Sequence, residues 1–514
     1  MPKYRVKIQS DDKIIYTAGG ISLKKLLNHS GYYFLQHCGE KGKCGVCKVE
    51  FLENSPEMHR KEIELFGPES GFRPSCLHKI EWDCEISIPQ RKTFTISKKI
   101  SGLKIATGKK GYGFAIDLGT TTVAIYLVNL DKGEIIDFGS FLNPQSAFGS
   151  DVMTRLEKAK DELSLKKLTD SIRESLRNVI SQKLAGNGIR SEQITSVVIA
   201  GNTAMMQLFN GMNGGGLERA PYIGPLEGKG NVPFQSDILG LAENVQCEML
   251  PVLASFIGGD IYAAIIAGEI DMLDGNRLLI DFGTNGEIVL SKNAGSDSRS
   301  LFITSTAAGP AFEGEGMNCG MPALEGAVEG LDEKGNPLII GNTGKAEGIC
   351  GSGYISVISY LLQSGLMDKS GLLMKDGAGK RIWNLPSAEN SIVVTQDDIR
   401  KFQLAKGAVS AGIQIILSEA GLTIDRLDEI IITGSFGNRI EIYAAISTGL
   451  IPDIPTKKIR FLDNGAGRGA VIYLASEEVS RRISDILGMI QFVSLGEHPD
   501  FQDIFIENMS FPEV

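Results

Sequence analysis

Apolar and polar positions alternate from the start of the chain. KYRVKIQ and KIIYTA carry apolar residues at period two on either side of SDDK, which predicts a β-hairpin. SLKKLLNHSG changes period and predicts a short helix with Ser22 as its cap and Gly31 as its stop. VCKVEFLE reads as a strand, PEMHRKEIELFG as a helix and KIEWDCEISIP as a closing strand. Residues 91–111 are rich in Lys and Arg and break the pattern, as a linker or an extended strap does.

From residue 112 the texture changes to continuous apolar runs alternating with helical segments, the mark of a buried α/β sheet. No second low-complexity break follows, so three parts are expected: 1–90, the linker 91–111, and one large unit over 112–514. That unit repeats itself. FAIDLGTTTVAIYL (114–127) aligns without gaps on LLIDFGTNGEIVLS (278–291), setting Asp117 on Asp281, Gly119 on Gly283 and Thr120 on Thr284. SVVIAGNTA (196–204) and EIIITGSFG (429–437) follow in the same order, with Gly201 on Gly434. Two matches in one order predict two lobes, with cores over 112–275 and 276–475 and a C-terminal extension over 476–514.

Composition narrows the class. A chain of 514 residues exceeds one hydrophobic core, and 42% hydrophobic with 22% charged residues is ordinary for a globular protein. A net charge of -10 excludes the basic face that a nucleic-acid partner requires. There is no apolar run of about 18 residues and no basic-then-apolar leader, so a cytoplasmic protein without a membrane partner is expected. Four of the 8 cysteines fall by residue 76, which in that compartment favours a metal over disulfides.

HCGEKGKCGVCK places Cys38, Cys44 and Cys47 in one loop, with Cys76 following in FRPSCLHK. Plant-type [2Fe–2S] sites take three thiolates from one loop and a fourth from a distant segment, and this spacing has one residue more in its first gap. Gly39, Gly42 and Gly45 let the loop backbone approach the sulfides. A zinc knuckle would want two close CxxC or CxxH pairs, and the chain has one. Cys84 lies in phase with Ile80, Trp82, Ile86 and Ile88 and is expected on the inner face of a strand. Lys41, Lys43 and Lys48 outnumber Glu40, a local positive field that favours a reduced cluster and an acidic partner. The histidines, His37 and His78 among them, show no metal spacing. With its hairpin, crossing helix and later strands, this part resembles the β-grasp fold of the [2Fe–2S] ferredoxins.

Nucleotide chemistry has to rest on the repeats. GNTGKAEG and GAGKRI fail as Walker motifs, and GAGRGA fails as a dinucleotide fingerprint. In the hairpins, an Asp at the strand end can hold a hydrated Mg²⁺, Gly admits a phosphate, and Thr N–H and O–H groups bond it. The candidates are Asp117, Gly119, Thr120, Thr121 and Thr122 in the first copy and Asp281, Gly283, Thr284 and Asn285 in the second, with Mg²⁺ on Asp117 and Asp281 through water. Two acids can orient the attacking water, Asp260 in FIGGDI and Glu287 in DFGTNGE. Asp260 reads as a loop residue after two glycines; Glu287 stands opposite Val123 of the other copy, and sequence does not choose between them.

The two hairpins resemble the phosphate segments of the ASKHA superfamily, the duplicated RNase H-like fold of actin, Hsp70 and sugar kinases. The resemblance makes Gly201 and Asn202, in GNTAM, part of a connecting segment and Gly434, Ser435, Phe436 and Gly437 the adenosine segment. AAGPAFEGEGMNCG and EGICGSGYI are read as Gly-rich loops lining the nucleotide or a partner, with Cys319 and Cys350 as small fillers.

A ferredoxin-like part ahead of an ASKHA unit resembles one family, the reductive activators of corrinoid proteins. NPQSAFGSDVMTRL (143–156), GNTAM, DFGTNGE, GPAFEGEGM and GICGSGYI look like that family's segments in its order. The resemblance implies an ATP-hydrolysing iron–sulfur enzyme. ATP would drive one-electron reduction of cob(II)amide to cob(I)amide on a partner protein of a methyltransferase system. An external low-potential donor would supply the electron, and a homodimer is the candidate oligomer. If cobalt lay roughly 100 mV below a cluster near −400 mV, transfer would be uphill by about 2.3 kcal/mol, within the ~1–3 kcal/mol of a typical coupling between sites. Two other readings are an electron donor to another low-potential enzyme, of the dehydratase-activator kind, and a redox-sensing ASKHA kinase. The CxxxxxCxxC loop speaks against the first, and the absence of a recognisable sugar-pocket sequence against the second.

Overall fold

The structure is a computed structural model that describes residues 3–9, 12–30, 42, 47–89, 100, 103, 105, 107–149, 151–217, 219, 222–283, 285–293, 299–314, 316–341, 344–386, 392–434 and 440–513. The alternation at the start builds β1 (Lys3–Ile8) and β2 (Lys13–Ala18), paired antiparallel from Lys3↔Ala18 to Ile8↔Lys13. α1 (Leu23–His29) begins where the Ser22 hydroxyl accepts the Lys25 N–H at 3.2 Å. β3 (Lys48–Glu53), α2 (Arg60–Phe66), β4 (Phe72–Pro74) and β5 (Cys84–Ser87) complete a five-stranded sheet of order β2-β1-β5-β3-β4, with β1 and β5 parallel. Val6, Ile8, Leu23, Leu27, Val49, Ile80 and Ile86 fill its core. Cys84 joins them as its phase predicts, and burial pushes its thiol up to about 11. β4 is the strand the pattern does not announce, because three residues cannot display a period.

The first lobe is a six-stranded sheet built from β6 (Tyr112–Leu118), β7 (Thr122–Asn129), β8 (Glu134–Leu142), β9 (Ile194–Gly201), β10 (Val232–Pro233) and β11 (Gln246–Met249). Its order is β10-β11-β9-β6-β7-β8. α3 (Val152–Lys158), α4 (Glu162–Asn187) and α5 (Thr203–Phe209) cover one face, where Phe114, Ile116, Val123 and Ile125 meet Leu156, Ile172, Leu176 and Met205. The other face turns toward α6 (Gly259–Gly268).

The second lobe opens with β12 (Arg277–Phe282), β13 (Gly286–Asn293) and β14 (Arg299–Thr306). A small sheet of β15 (Ala327–Leu331), β16 (Pro337–Ile339) and β17 (Gly348–Ile349) follows, with a ribbon of β18 (Ile382–Asn384) and β19 (Val393–Thr395). β20 (Glu429–Gly434), β21 (Ile459–Phe461) and β22 (Ile490–Phe492) complete the main sheet, ordered β21-β20-β12-β13-β14-β22. α7 (Gly351–Gln363), α8 (Gln396–Glu419) and α9 (Ile442–Ser447) pack on its outer face. α10 (Gly465–Ala475) joins α6 between the two sheets, followed by α11 (Glu477–Arg481), α12 (Ile483–Met489) and α13 (Phe501–Glu507).

That central layer shares one core with both lobes: Ala115, Ala124 and Val198 come from the first sheet, Leu279, Val289 and Ile431 from the second. α6 and α10 touch backbone to backbone, since a Cβ on Gly469 would lie 1.8 Å from the Ala263 carbonyl oxygen. Two segments read as appendages in the sequence pack into this frame. Ile100, Leu103 and Ile105 rest against the central core. The extension adds β22 to the sheet edge beside β14, and its Phe511 stacks on Phe402 of α8. Among the described residues no helix is long and apolar enough to cross a membrane.

Candidate functional site

The repeated segments end at one cleft, in matching register. Leu118 of β6 lies opposite Gly201 of β9, and Phe282 of β12 opposite Gly434 of β20. Side chains alternate along a strand. Leu118 and Phe282 enter the outer cores, so Asp117 and Asp281, one residue earlier, project from the inner faces toward the central helices. The matched glycines are there for space. A Cβ on Gly434, whose φ is +102°, would lie 2.5 Å from the Asp281 carboxylate and 2.3 Å from the Phe282 carbonyl oxygen. A Cβ on Gly258 would lie 2.2 Å from the Gly201 carbonyl oxygen, so the start of α6 abuts the end of β9.

That contact delivers Asp260. It stands in the first turn of α6, with the Ile261 N–H donating to its Oδ1 at 2.9 Å, and not in a loop as its two preceding glycines suggest. Burial and the charges of Asp281 and Asp117 raise its carboxyl to about 7. Glu287 departs from the ungapped alignment, which sets it opposite Val123. The second hairpin is one residue shorter: Phe282 pairs with Gly286 where Leu118 pairs with Val123. Glu287 therefore takes the place of Ala124 and pairs with Asp281 across the strands, on the same face. Burial, Asp260 and Asp281 hold its carboxyl well above the usual range, against hydrogen bonding from the Asn285 side chain. Asp117, Asp260, Asp281 and Glu287 thus act on one another from both lobes. Acids from both lobes face one cleft, and carboxylates of this kind can hold a phosphate-bound Mg²⁺ through its water shell.

The first turn is built with care. Gly119 and Thr121 are partly exposed, and the buried Thr120 receives a hydrogen bond at its Oγ1 from the Asn202 side chain at 2.9 Å. Thr122 is buried at the start of β7, and Asn202 also caps α5 by accepting the Met205 N–H at 3.0 Å. In the second turn Gly283 and Asn285 are partly exposed and linked by a Gly283 N–H bond to the Asn285 carbonyl. Thr284, Ser435, Phe436 and Gly437 lie outside the described residues. The site also uses side chains that residue type alone did not single out. Asn143 and Arg155 hold the first turn from below, and Asn464, the cap of α10, donates to the Tyr126 hydroxyl at 2.6 Å. Asn143 and Arg155 sit inside NPQSAFGSDVMTRL, so the family resemblance marked the segment without marking a role.

Of the two Gly-rich segments of the second lobe, EGICGSGYI is only partly a loop. EGICGSGYI enters α7, whose first turn is buried, with Cys350 at its cap. Cys350 is a buried filler, and the partly buried Cys319 accepts the Val393 N–H at 3.4 Å.

In the N-terminal part, Cys47 and Cys76 meet. The Cys76 side chain and N–H donate to the Cys47 sulfur and, with the Lys24 charge, lower its thiol to about 6 against burial. The thiolate is the form that binds iron, so this pair fits the donor set of a cluster. A Ser75 N–H bond to the Cys47 carbonyl at 2.8 Å and a Lys24 N–H bond to the Ser75 carbonyl at 3.0 Å fix the two segments. Cys38 and Cys44 lie outside the described residues. His78 has a partner that its spacing hid: its Nε2 and the buried Glu62 carboxylate are 2.5 Å apart, and the His59 ring stacks on it at 5.4 Å. The other Glu62 oxygen accepts the His59 N–H at 2.6 Å, so the trio is a hydrogen-bonded knot.

Comparison with known proteins gives the same frame. Residues 112–273 match a family model described as the RACo middle region, and residues 275–514 one described as the C-terminal domain of RACo, the ASKHA domain. The corrinoid activation enzyme RamQ of Eubacterium limosum is 32% identical over 423 residues, 78% of this chain and 70% of RamQ. The Co(II) methylated amine-specific corrinoid protein reductase of Methanosarcina barkeri is 26% identical over 387 residues, 68% of this chain and 67% of the reductase. A solved reductive activator for a corrinoid, iron-sulfur protein superposes with a TM-score of 0.67 over 99% of this chain and 98% of its own, at 24% identity, a likeness of fold. Residues 275–514, which hold the second hairpin, thus match an ASKHA domain, while the first lobe matches the middle region.

Proposed function

The chain belongs to the family of reductive activators of corrinoid proteins, and from that premise we propose that it is an ATP-dependent enzyme that reduces a partner's cob(II)amide to cob(I)amide. The observation that carries this reading is the meeting of Asp117, Asp260, Asp281 and Glu287 from two lobes, on a chain that also brings Cys47 and Cys76 together.

ATP lies between the lobes, its phosphates against the turns 119–122 and 283–285 and its adenosine against the 434–437 segment. Asp117 and Asp281 would hold Mg²⁺ through water, and the ion would neutralise phosphate charge. Asp260 is the base that takes a proton from the attacking water. A carboxyl raised to about 7 is a stronger base than an ordinary one yet ionises near neutrality, and its place in the first turn of α6 stabilises the ionised form. Glu287, whose carboxyl burial, Asp260 and Asp281 hold well above the usual range, pairs with Asp281 across the strands and accepts the Ser305 hydroxyl at 3.4 Å, so it positions the acids beside it. Water adds to the γ-phosphorus, the bond to ADP breaks, and the proton passes to Asp260 and then to solvent.

The N-terminal part is read as a β-grasp ferredoxin-like domain joined by the linker over 91–111. Cys38, Cys44, Cys47 and Cys76 would hold a [2Fe–2S] cluster, which supplies one-electron transfer from an external low-potential donor. Lobe closure on ATP is the step that biases the bound corrinoid protein toward reduction, because α6 and α10 share one core with both sheets.

The test mixes the iron-loaded protein with a low-potential reductant, a cob(II)amide protein and Mg²⁺, with and without ATP. The cob(I)amide spectrum is expected only with ATP. Equal yield without it would sink the coupling.

A further inference from the structure

Three consecutive carbonyls of the first turn are bound from one side by side chains and backbone of the segment 143–155. The Asn143 Nδ2 donates to the Gly119 carbonyl at 2.9 Å, and the Asn143 N–H to the Thr121 carbonyl at 2.9 Å. Between them, one Arg155 nitrogen donates to the Thr120 carbonyl at 2.8 Å, while its Nε donates to the Gly149 carbonyl at 2.9 Å. Arg155 and Asn143 are both wholly buried, at 0% exposure. The segment is anchored behind: the Asn143 Oδ1 accepts the Gln145 N–H at 3.0 Å, and the Gln145 side chain donates to the Leu168 carbonyl of α4 at 3.2 Å.

The geometry has a directional result. In a trans peptide the carbonyl of one residue and the N–H of the next point opposite ways. With the Gly119 and Thr120 carbonyls drawn inward, the N–H groups of Thr120 and Thr121 face away from the buried segment, beside the partly exposed Gly119 and Thr121. Successive N–H groups turned one way form an anion-binding nest. Burying an arginine is costly unless its donors are used. Here the Thr120 carbonyl of the turn and the Gly149 carbonyl use them.

We propose that Arg155 and Asn143 are positioning residues that set the peptide polarity of the 119–121 turn and so make it a phosphate cradle. The proposal rests on the reading of this cleft as the ATP site. Neither residue touches nucleotide; each acts through the peptides it orients. Nothing of this kind is seen among the described residues of the second turn, where the Asn285 carbonyl is taken by the Gly283 N–H.

The test compares Arg155→Lys and Asn143→Ser with the parent protein, by calorimetric titration with Mg-ATP, Mg-ADP and adenosine and by steady-state hydrolysis. Arg155→Lys keeps the charge and loses the fork; Asn143→Ser leaves the arginine in place and serves if the first variant does not fold. Losing one such bond should weaken ATP and ADP by about 10- to 100-fold. Adenosine affinity should stay within about twofold, with KM rising more than kcat falls. Parallel loss of all three ligands would assign the residues a merely structural role and overturn the proposal, as would unchanged ATP binding in both variants. A parent protein that binds no ATP would overturn the nucleotide reading itself, and this proposal with it.

Discussion

The two hairpins of the ASKHA unit descend from one pattern and differ by one residue. Four residues, 119–122, separate the pair Leu118↔Val123, and three, 283–285, separate Phe282↔Gly286. Because the side-chain period of a strand is two, one residue removed from the turn carries every following side chain to the opposite face relative to the ungapped alignment. The first lobe sends Val123 outward into its core and Ala124 inward; the second puts Gly286 and Glu287 in those places. Duplication thus supplies the frame twice, and a shortened turn converts one copy into a source of acid. The first copy keeps the longer turn and the buried side chains that hold it.

If the lobes share the phosphates, both aspartates matter. Asp117→Asn and Asp281→Asn should each lower ATP hydrolysis by roughly 10²–10³-fold, the scale of losing one preorganised charge contact. Phosphate release measures it, and a harmless Asp281→Asn beside a dead Asp117→Asn would break the two-sided clamp.

The next contrast is steric. Gly434→Ala forces a Cβ against backbone at φ +102°, while Gly201→Ala meets the Leu118 carbonyl oxygen at 2.8 Å without a positive φ. Costs of about 3 kcal/mol and about 1–2 kcal/mol are expected from strain and overpacking. Urea unfolding decides, and equal values would mean that the two strand ends are not built differently.

Asp260 sharpens the comparison through pH. Its folded carboxyl is raised to about 7, so between the ordinary carboxylate range and that value the folded protein keeps a proton that the unfolded chain has released. Stability without nucleotide should therefore fall as pH rises through this window. Asp260→Asn should flatten the fall and stabilise the protein at pH 8 by on the order of 1 kcal/mol while hydrolysis is lost. Urea midpoints on both sides of pH 7 test this, and a variant with the parent's slope would show that the proton resides elsewhere.

The smallest contrast lies at half-buried ion pairs. Glu429 binds both Arg277 and Arg460 in the second lobe, and Asp137 binds Lys183 at 2.7 Å in the first. Glu429→Ala should cost about 1 kcal/mol and Asp137→Ala about 0.5 kcal/mol; reversed order in thermal unfolding would show that the second pair adds nothing.

Much of this was legible before folding. Alternation marked β1, β2, β3 and β5, and the two Asp-x-Gly-Thr copies marked β6 to β7 and β12 to β13 in register with Gly201 and Gly434. β4 was too short to show a period, and EGICGSGYI looked like a loop because its glycines, needed for close packing of α7, have the same composition as a turn. Arg155 was one residue of NPQSAFGSDVMTRL that the sequence did not single out; only the carbonyls around it show why it is buried.

The sequence by itself determined two lobes, the strand ends that carry Asp117 and Asp281, and the role of Cys84 as core, because periodicity and duplication are local and survive without a structure. Tertiary structure decided the rest: that Glu287 faces Asp281, that Asp260 arrives on a helix, that Asn143 and Arg155 orient the first turn, and that Cys47 meets Cys76. The first rests on the length of one turn, the second on where a helix begins, and the last two on contacts between separate segments; register and close packing of this kind are not encoded by residue type.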